Sequence, residues 1–517
     1  MSSRTGPSRL SLPTAALIGL LSVAVAVGVG HLVAGVVSPT ASPLLAVGDS
    51  AIDLTPAWLK GFAIRTFGSN DKLVLLIGMG VVVGLFGVLA GLLSRRSSLP
   101  GVALLAGLGV LGGIAVQSRP TAGGLAVLVP LVALLAGIGV FLALHRLGVA
   151  APEPVADPGS PGMSRRRLFA GSAGVAVGAG LAAVGGQVLS ARGGVEESRR
   201  ALGRIVPDVP APPIPPGADF VADGSPSFIT PNRDFYRVDV NLTLPKLRAQ
   251  DWRLRIHGMV DRELSLDWAE LTARRLIERT VTLTCVSNEI GGPYISTANF
   301  TGVLLADLLA EAGPAPGADQ VLTTSVDGWT CGTPTETVLE PGREAMLVIG
   351  MNGEPLPIEH GFPVRMLVPG LYGFVSATKW LVDLELTTFD AKQAYWLQRD
   401  WAQRAPIKTM SRIDHPRSFG TVGPDSPITG IAWAQTRGIE QVEVRFDRGA
   451  WQPAELATEV NLDTWRMWRL RPGRLAPGLH VAEVRATDKT GYTQTADREP
   501  PIPDGATGWH SVRFTVR

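Results

Sequence analysis

TLTCVSNEIGGPY, Thr282 to Tyr294, decides how this chain is read. Thr280 to Thr284 is a run of Thr, Val and Leu that predicts a strand, while Ser287, Asn288, Gly291, Gly292 and Pro293 are loop formers. Cys285 therefore stands where a rigid strand hands over to a loop, a common setting for a functional side chain. Taken alone, a free cysteine reads as a small buried hydrophobe. That reading suits Cys331, in DGWTCGTP, where no neighbour suggests chemistry.

A second motif, HGFPVRMLVPGLYGFVSATKW, runs from His360 to Trp380. His360 and Arg365 flank Gly361 and Pro363, so they are presented from a loop leading into a predicted strand, Val364 to Val368. A guanidinium with bidentate geometry is a natural phosphate partner. An ion pair with an acid such as Glu359 is the alternative. Gly373, Ser376, Ala377, Thr378 and Lys379 then form a loop whose N–H groups, hydroxyls and ammonium suit an anion.

Cys285 with Asn288, followed by the 360–380 motif, resembles the molybdenum-cofactor oxidoreductases of the sulfite oxidase type, from roughly Phe220 to the C-terminus. The resemblance implies that the Cys285 thiolate, a soft ligand, is the catalytic residue and binds molybdenum carried by a pterin dithiolene. A disulfide to Cys331 would remove that ligand and is rejected on that ground. It further implies that Asn288, His360, Arg365, Ser376, Ala377, Thr378 and Lys379 hold the cofactor. ITPNRDFYRVDV, Ile229 to Val240, falls where the family grips the pterin and its phosphate, giving Asn232, Arg233, Phe235, Tyr236 and Arg237. Ser325, in VLTTSVDGW, is a further contact by the same alignment. The interval from Gly373 to Lys379 is slightly longer than in animal and plant sulfite oxidases. The expected chemistry is two-electron oxygen-atom transfer.

The substrate is less determined. Sulfite-oxidising members place a pair of arginines after the cysteine and asparagine; here Glu289, Ile290 and Gly291 follow Asn288, and a carboxylate repels a dianion. The substrate is expected to be sulfite or a sulfoxide- or N-oxide-like compound. The competing reading is a membrane-anchored binding or scaffold protein that keeps the fold without the cofactor. A zinc enzyme is disfavoured because Cys285 has no Cys or His partner nearby in sequence.

The first third of the chain has another texture, rich in Ala, Val, Leu and Gly with few charges. Leu12–Val37, Leu73–Leu93, Leu99–Val116 and Leu125–Leu144 approach the length of about 20 residues that a bilayer-spanning helix needs. A fifth segment, Leu168 to Leu189, follows SRRRLF at Ser164 to Phe169, which resembles a twin-arginine export signal. By the positive-inside rule, Arg4, Arg9, Arg95, Arg96, Arg146 and Arg165 to Arg167 lie inside, whereas Lys60, Arg65 and Lys72 share the outer loops with Asp49, Asp53 and Asp71. Arg119 falls in an outer turn. The reading is a multi-pass protein of the cell membrane with its catalytic domain on the extracytoplasmic side. His31 and His145 fall at opposite faces and cannot form one axial pair, so no haem is expected in this chain. Electrons then pass through an electron-transfer protein or a membrane carrier. Pro39 to Asp71, with Trp58 and Phe62, reads as an outer loop holding an interfacial helix. A net charge of +2 without a basic stripe gives no case for nucleic acid.

The predicted organisation is multidomain. Residues 1–150 form a four-helix transmembrane region, 151–195 carry the twin-arginine-like signal and fifth helix, and 196–219 are a proline-rich linker. An α+β molybdopterin domain spans 220–405, and 406–517 form a C-terminal β-sandwich. Within the α+β domain Phe300 to Ala312 is expected as a helix. The family resemblance makes the C-terminal domain immunoglobulin-like and a route to a homodimer. Beyond the small-molecule substrate and the electron partner, membrane lipid is the other expected contact.

Overall fold

The computed structural model describes residues 9–37, 41–56, 59, 62, 66–67, 71–119, 124–149, 163–191, 194–240 and 242–517. The chain divides into two compact units, Met1–Gly194 with Val240–Pro245, and Val195–Asp239 with Lys246–Arg517.

The first unit is helical: α1 Leu12–Val37, α2 Pro43–Leu54, α3 Asp71–Leu93, α4 Leu99–Gln117, α5 Leu128–Val149 and α6 Met163–Ala191. Among the described residues four helices are long and apolar enough to cross a membrane: Leu12–Val37, Lys72–Leu93, Leu99–Gln117 and Gly124–Val149. Small residues let the backbones touch, and a Cβ on Gly19 of α1 would strike the Gly87 carbonyl of α3. Polar contacts sort the helix ends. Arg95 Nε donates to Leu10 O at 2.9 Å, and His145 Nε2 to Ser94 O at 2.7 Å, at one end. Arg119 pairs with Asp53 at 3.2 Å and donates to Ser50 Oγ at 2.9 Å at the other. α6 runs alongside, with Gly171 near Leu144 and Gln187 bonded to His31 at 3.1 Å. α2 lies in the loop between the first two spans. Arg4, Trp58, Lys60, Arg65 and the side chains of Arg165 to Arg167 lie outside the described residues.

The second unit opens with α7, Val195–Ala201, which overlaps the start of the proline-rich linker predicted at 196–219; Val195 is buried in the core. Its strands are β1 Arg253–Gly258, β2 Leu264–Asp267, β3 Ile277–Thr284, β4 Ile295–Leu304, β5 Gln320–Ser325, β6 Thr330–Pro334, β7 Met346–Met351, β8 Glu354–Pro355, β9 Arg365–Leu367 and β10 Leu381–Thr387. One sheet has the order β2-β1-β10-β5-β6 and another β3-β4-β7-β8, with β9 on β7. Phe300 to Ala312 is not one helix. Phe300–Leu304 completes β4, which pairs with β3 and β7 on its two sides, and the helix is only Leu305–Ala312. Ladder bonds to two neighbours override a helical apolar spacing there. The proline-rich segment is tied to the start of β3. Asp208 N and Val209 N donate to Leu276 O, and Glu278 N donates to Val209 O.

The C-terminal module contains β11 Met410–His415, β12 Thr421–Val422, β13 Ile428–Trp433, β14 Ile439–Phe446, β15 Gln452–Pro453, β16 Glu455–Leu456, β17 Arg466–Leu470, β18 Gly478–Asp488 and β19 His510–Val516. Its two sheets, β11-β13-β17-β16 and β12-β19-β18-β14-β15, enclose a shared core that includes Ile428, Trp468, Val444, Val484 and Phe514.

Candidate functional site

Cys285 follows the last pair of the β3–β4 ladder, Thr284 with Ile295. Its N–H donates to Tyr294 O at 3.0 Å, its carbonyl accepts from Asn288 N at 3.1 Å, and Asn288 Oδ1 accepts from Tyr294 N at 2.8 Å. Asn288 thus staples the loop. A Cβ on Gly292 would stand 2.6 Å from Asn288 Oδ1, so the turn needs glycine there. Cys285 is partly exposed as a residue, and its Sγ lies 2.9 Å from Ser287 Oγ. Burial raises its pKa, opposed by hydrogen bonds from Ser287 and the charge of Lys379.

The C-terminal module holds the strand that carries it. Trp465 N donates to Thr282 Oγ1 at 2.8 Å, Thr282 N to Asp463 O at 3.0 Å, and Gln435 Nε2 to Thr282 O at 3.2 Å. Rigid backing of this kind fixes where the thiol stands.

A cluster of cationic side chains lies in the same region. Arg365 lies on β9, paired with Val348 of β7, and is 5% exposed. Its Nη1 donates to His360 O at 3.3 Å, and its Nε has no partner among the described residues. The predicted alternative, an ion pair with Glu359, does not form among the described residues. Burial pulls the guanidinium down to about 10. Lys379 Nζ donates to Glu359 O at 2.9 Å and lies 3.6 Å from the Asp239 carboxylate. Burial lowers its pKa to about 8, against the pull of Asp239. Arg237 pairs with Asp239 at 2.7 Å. Burial, then Arg365 and Lys379, push His360 down to about 3, so the ring is neutral. Tyr236, raised by burial, feels both Cys285 and Arg365 and so ties the two halves together. Its ring packs on Phe235 at 5.4 Å and Tyr294 at 6.4 Å.

The structure thus brings Cys285, Tyr236, Arg237, His360, Arg365 and Lys379 into one electrostatic neighbourhood. Other candidates serve differently. Phe235 is core, edge-on to His360 and Phe300. Arg233 is exposed beside Asp234. Asn232 bonds Met351 O at 3.3 Å and Asn352 at 2.8 Å. Ser376 Oγ turns to Leu371 O and Tyr372 O, at 3.1 and 3.0 Å. Thr378 Oγ1 meets Thr323 Oγ1 at 2.6 Å, and Ala377 N donates to Gly373 O at 3.0 Å. Ser325 Oγ is buried without a partner among the described residues, and the following Val326 N donates to Trp380 O. Sequence reasoning missed Asp239, whose side chain is 5% exposed between Arg237 and Lys379, and Tyr372, whose raised hydroxyl pKa reflects burial and then the nearby Asp504 and Cys285 charges.

These residues fit a pterin cofactor that carries a phosphate. A buried guanidinium without a carboxylate is costly unless an anion completes it. Arg365 Nε and Ser325 Oγ are buried donors without a partner among the described residues, Lys379 adds an ammonium, and Cys285 adds a thiol.

Residues 241–396 match the oxidoreductase molybdopterin binding domain family. Among known proteins the chain is similar to mitochondrial sulfite oxidase of Homo sapiens, 30% identical over 341 residues, spanning 56% of this chain and 62% of that protein. Sulfite oxidase of Gallus gallus is 29% identical over 348 residues, spanning 57% and 74%. NADPH nitrate reductase of Emericella nidulans is 32% identical over 192 residues, spanning 33% and 22%. The chain spans less than two thirds of the human protein's length. Residues 241–396 thus carry an oxidoreductase molybdopterin binding domain, and the chain around it is similar to the sulfite oxidases.

Proposed function

We propose that this chain is a membrane-anchored enzyme that performs two-electron oxygen-atom transfer on a small substrate, with a sulfoxide- or N-oxide-like compound preferred to sulfite. The observation that carries the cofactor reading is Arg365, buried with an Nε that has no partner among the described residues, in the same neighbourhood as Cys285. A scaffold without cofactor would have no use for a guanidinium buried at that cost. Molybdenum held by a pterin supplies the two-electron redox change when bound. Cys285 would hold the metal, Arg365 and Lys379 would take the phosphate, and Ser325 would add a hydroxyl. Exposed Glu289 at the cysteine loop is the ground for placing sulfite second. Similarity to sulfite oxidases favours sulfite as that second reading.

The four apolar helices support anchoring, and α6 is read as a fifth crossing that leads the second unit to the extracytoplasmic side. The immunoglobulin-like reading of the C-terminal module, its use in a homodimer, and an electron-transfer protein or membrane carrier as partner belong to the same proposal. Molybdenum analysis of the full chain from a cofactor-producing host tests the enzyme reading: about one metal per chain supports it, and none supports a scaffold. Assays with sulfite, sulfoxides and N-oxides then decide the substrate.

A further inference from the structure

The loop behind Cys285 is gripped by two side chains of the C-terminal module that the cofactor reading does not use. Arg412, on β11, donates from Nη1 to Gly292 O at 2.7 Å. Its Nε and Nη2 are held by Asp414 Oδ1 at 2.9 and 2.8 Å, so the guanidinium is anchored on one side and directed by the other. Ion pair and loop contact are largely buried, with Arg412 at 13% and Asp414 at 18% side-chain exposure. His510, at the start of β19, accepts from Ile413 N through Nδ1 at 3.0 Å. A ring that accepts at Nδ1 carries its proton at Nε2 when neutral. Burial, Arg412 and Arg498 keep it neutral, with a pKa of about 4. Its Nε2 edge abuts Gly291, whose φ of +75° and lack of a side chain both admit the ring. Arg412 and His510 thus bear on consecutive residues of the turn that closes the Cys285 loop.

We propose that Arg412 and His510 are positioning residues for Cys285: by fixing the Gly291–Gly292 turn they set the direction in which the thiol is presented. This rests on the reading of Cys285 as metal ligand. Loop glycines have wide conformational freedom, and a small misplacement of a reacting group costs large factors in rate. The β3 strand fixes one end of the loop; the C-terminal module fixes the other.

The test uses the full chain, with and without cofactor. In Arg412→Gln the metal content should be unchanged, kcat should fall on the order of tenfold with KM within about twofold, and the paramagnetic resonance spectrum of the one-electron-reduced metal should shift. Arg412→Lys, which keeps a donor for Gly292 O, should recover most of the loss. His510→Asn keeps an acceptor for Ile413 N while removing the ring from Gly291, and should act in the same direction. In cofactor-free protein, iodoacetamide should alkylate Cys285 of Arg412→Gln at a rate changed by about threefold or more. Wild-type kcat, spectrum and alkylation rate in both folded Arg412→Gln and His510→Asn would overturn the proposal. If Arg412→Gln does not fold, His510→Asn carries the decision. Metal retained by Cys285→Ala would instead remove the ligand reading, while the alkylation rates still report whether the clamp orients the thiol.

Discussion

Cys285 and Cys331 belong to the same compact unit, and burial raises the pKa of both thiols, yet their surroundings differ in kind. Cys331 lies within β6, paired with Thr323 of β5, fully buried, with Sγ 3.9 Å from Thr333 Oγ1 and a pKa pushed up to about 11. Its hydrogen-bonding neighbours, Thr378 and the Ala377 backbone, belong to the loop that precedes Lys379, so it forms part of the floor beneath that loop. Cys285 comes just after its ladder ends, partly exposed, with Ser287 and Lys379 drawing its pKa back down. A ladder that continues past a cysteine buries it; one that stops beside a cationic cluster leaves it at the start of a loop. The position of the strand end is what sets the proposed ligand apart from the structural thiol.

The largest effect should come from the pair of substitutions that exploits this contrast. Cys285→Ala should abolish turnover and strip the metal while leaving the thermal transition nearly intact. Cys331→Ala should retain metal and activity within about twofold and cost about 1–2 kcal/mol of stability, read from denaturant unfolding. Equal losses of metal in the two variants would erase the distinction.

Next in size is Arg365→Met. Removing a buried cation that completes an anion site should lower retained cofactor by about 10- to 100-fold on dilution, measured as pterin fluorescence released. Because the wild-type guanidinium is unpaired at Nε, the cofactor-free variant should be no less stable than cofactor-free wild type. A destabilised apo variant that still holds its pterin would show Arg365 to be a structural residue.

A smaller effect concerns the backing of the cysteine strand. Gln435 donates to Thr282 O and, at 3.3 Å, to Thr284 Oγ1, and it is fully buried. Gln435→Leu should cost about 1–3 kcal/mol by leaving those acceptors unmet, with metal content unchanged. A loss of metal without loss of stability would move Gln435 from scaffold to site.

How much of this was legible in the sequence follows from the range of the interactions. Cys285 and its turn are local: β-branched residues make the strand, and Asn288, Gly291 and Gly292 make the turn within a few positions. The His360 to Lys379 segment is likewise contiguous. Asp239 was illegible because its meaning comes from Lys379, far along the chain. Ser376 and Thr378 were legible as a hydroxyl-bearing loop, but not in their orientation, since their partners Leu371, Tyr372 and Thr323 are set by packing. Phe300 to Leu304 was misread because FTGVL has an apolar spacing that suits a helix, and only the partners β3 and β7 decide for a strand. The four apolar spans were legible by composition alone, whereas the packing of Gly19 on Gly87 needed the fold.

The contrast between the two thiols depends on the charge beside Cys285, and that charge can be read by pH. In cofactor-free protein Lys379 has a pKa of about 8, His360 about 3 and Arg365 about 10. Between pH 7 and pH 9 His360 therefore stays neutral and Arg365 stays charged, while Lys379 loses its proton. Sulfate keeps its charge over the same range and serves as the probe. Its affinity should be highest below pH 8 and fall through that value, by about tenfold if the ammonium makes a charge-assisted hydrogen bond to the anion. Lys379→Met should flatten the profile at the weaker level. A flat profile in the wild-type protein would place Lys379 outside the anion pocket, and with it the charge that sets Cys285 apart from Cys331.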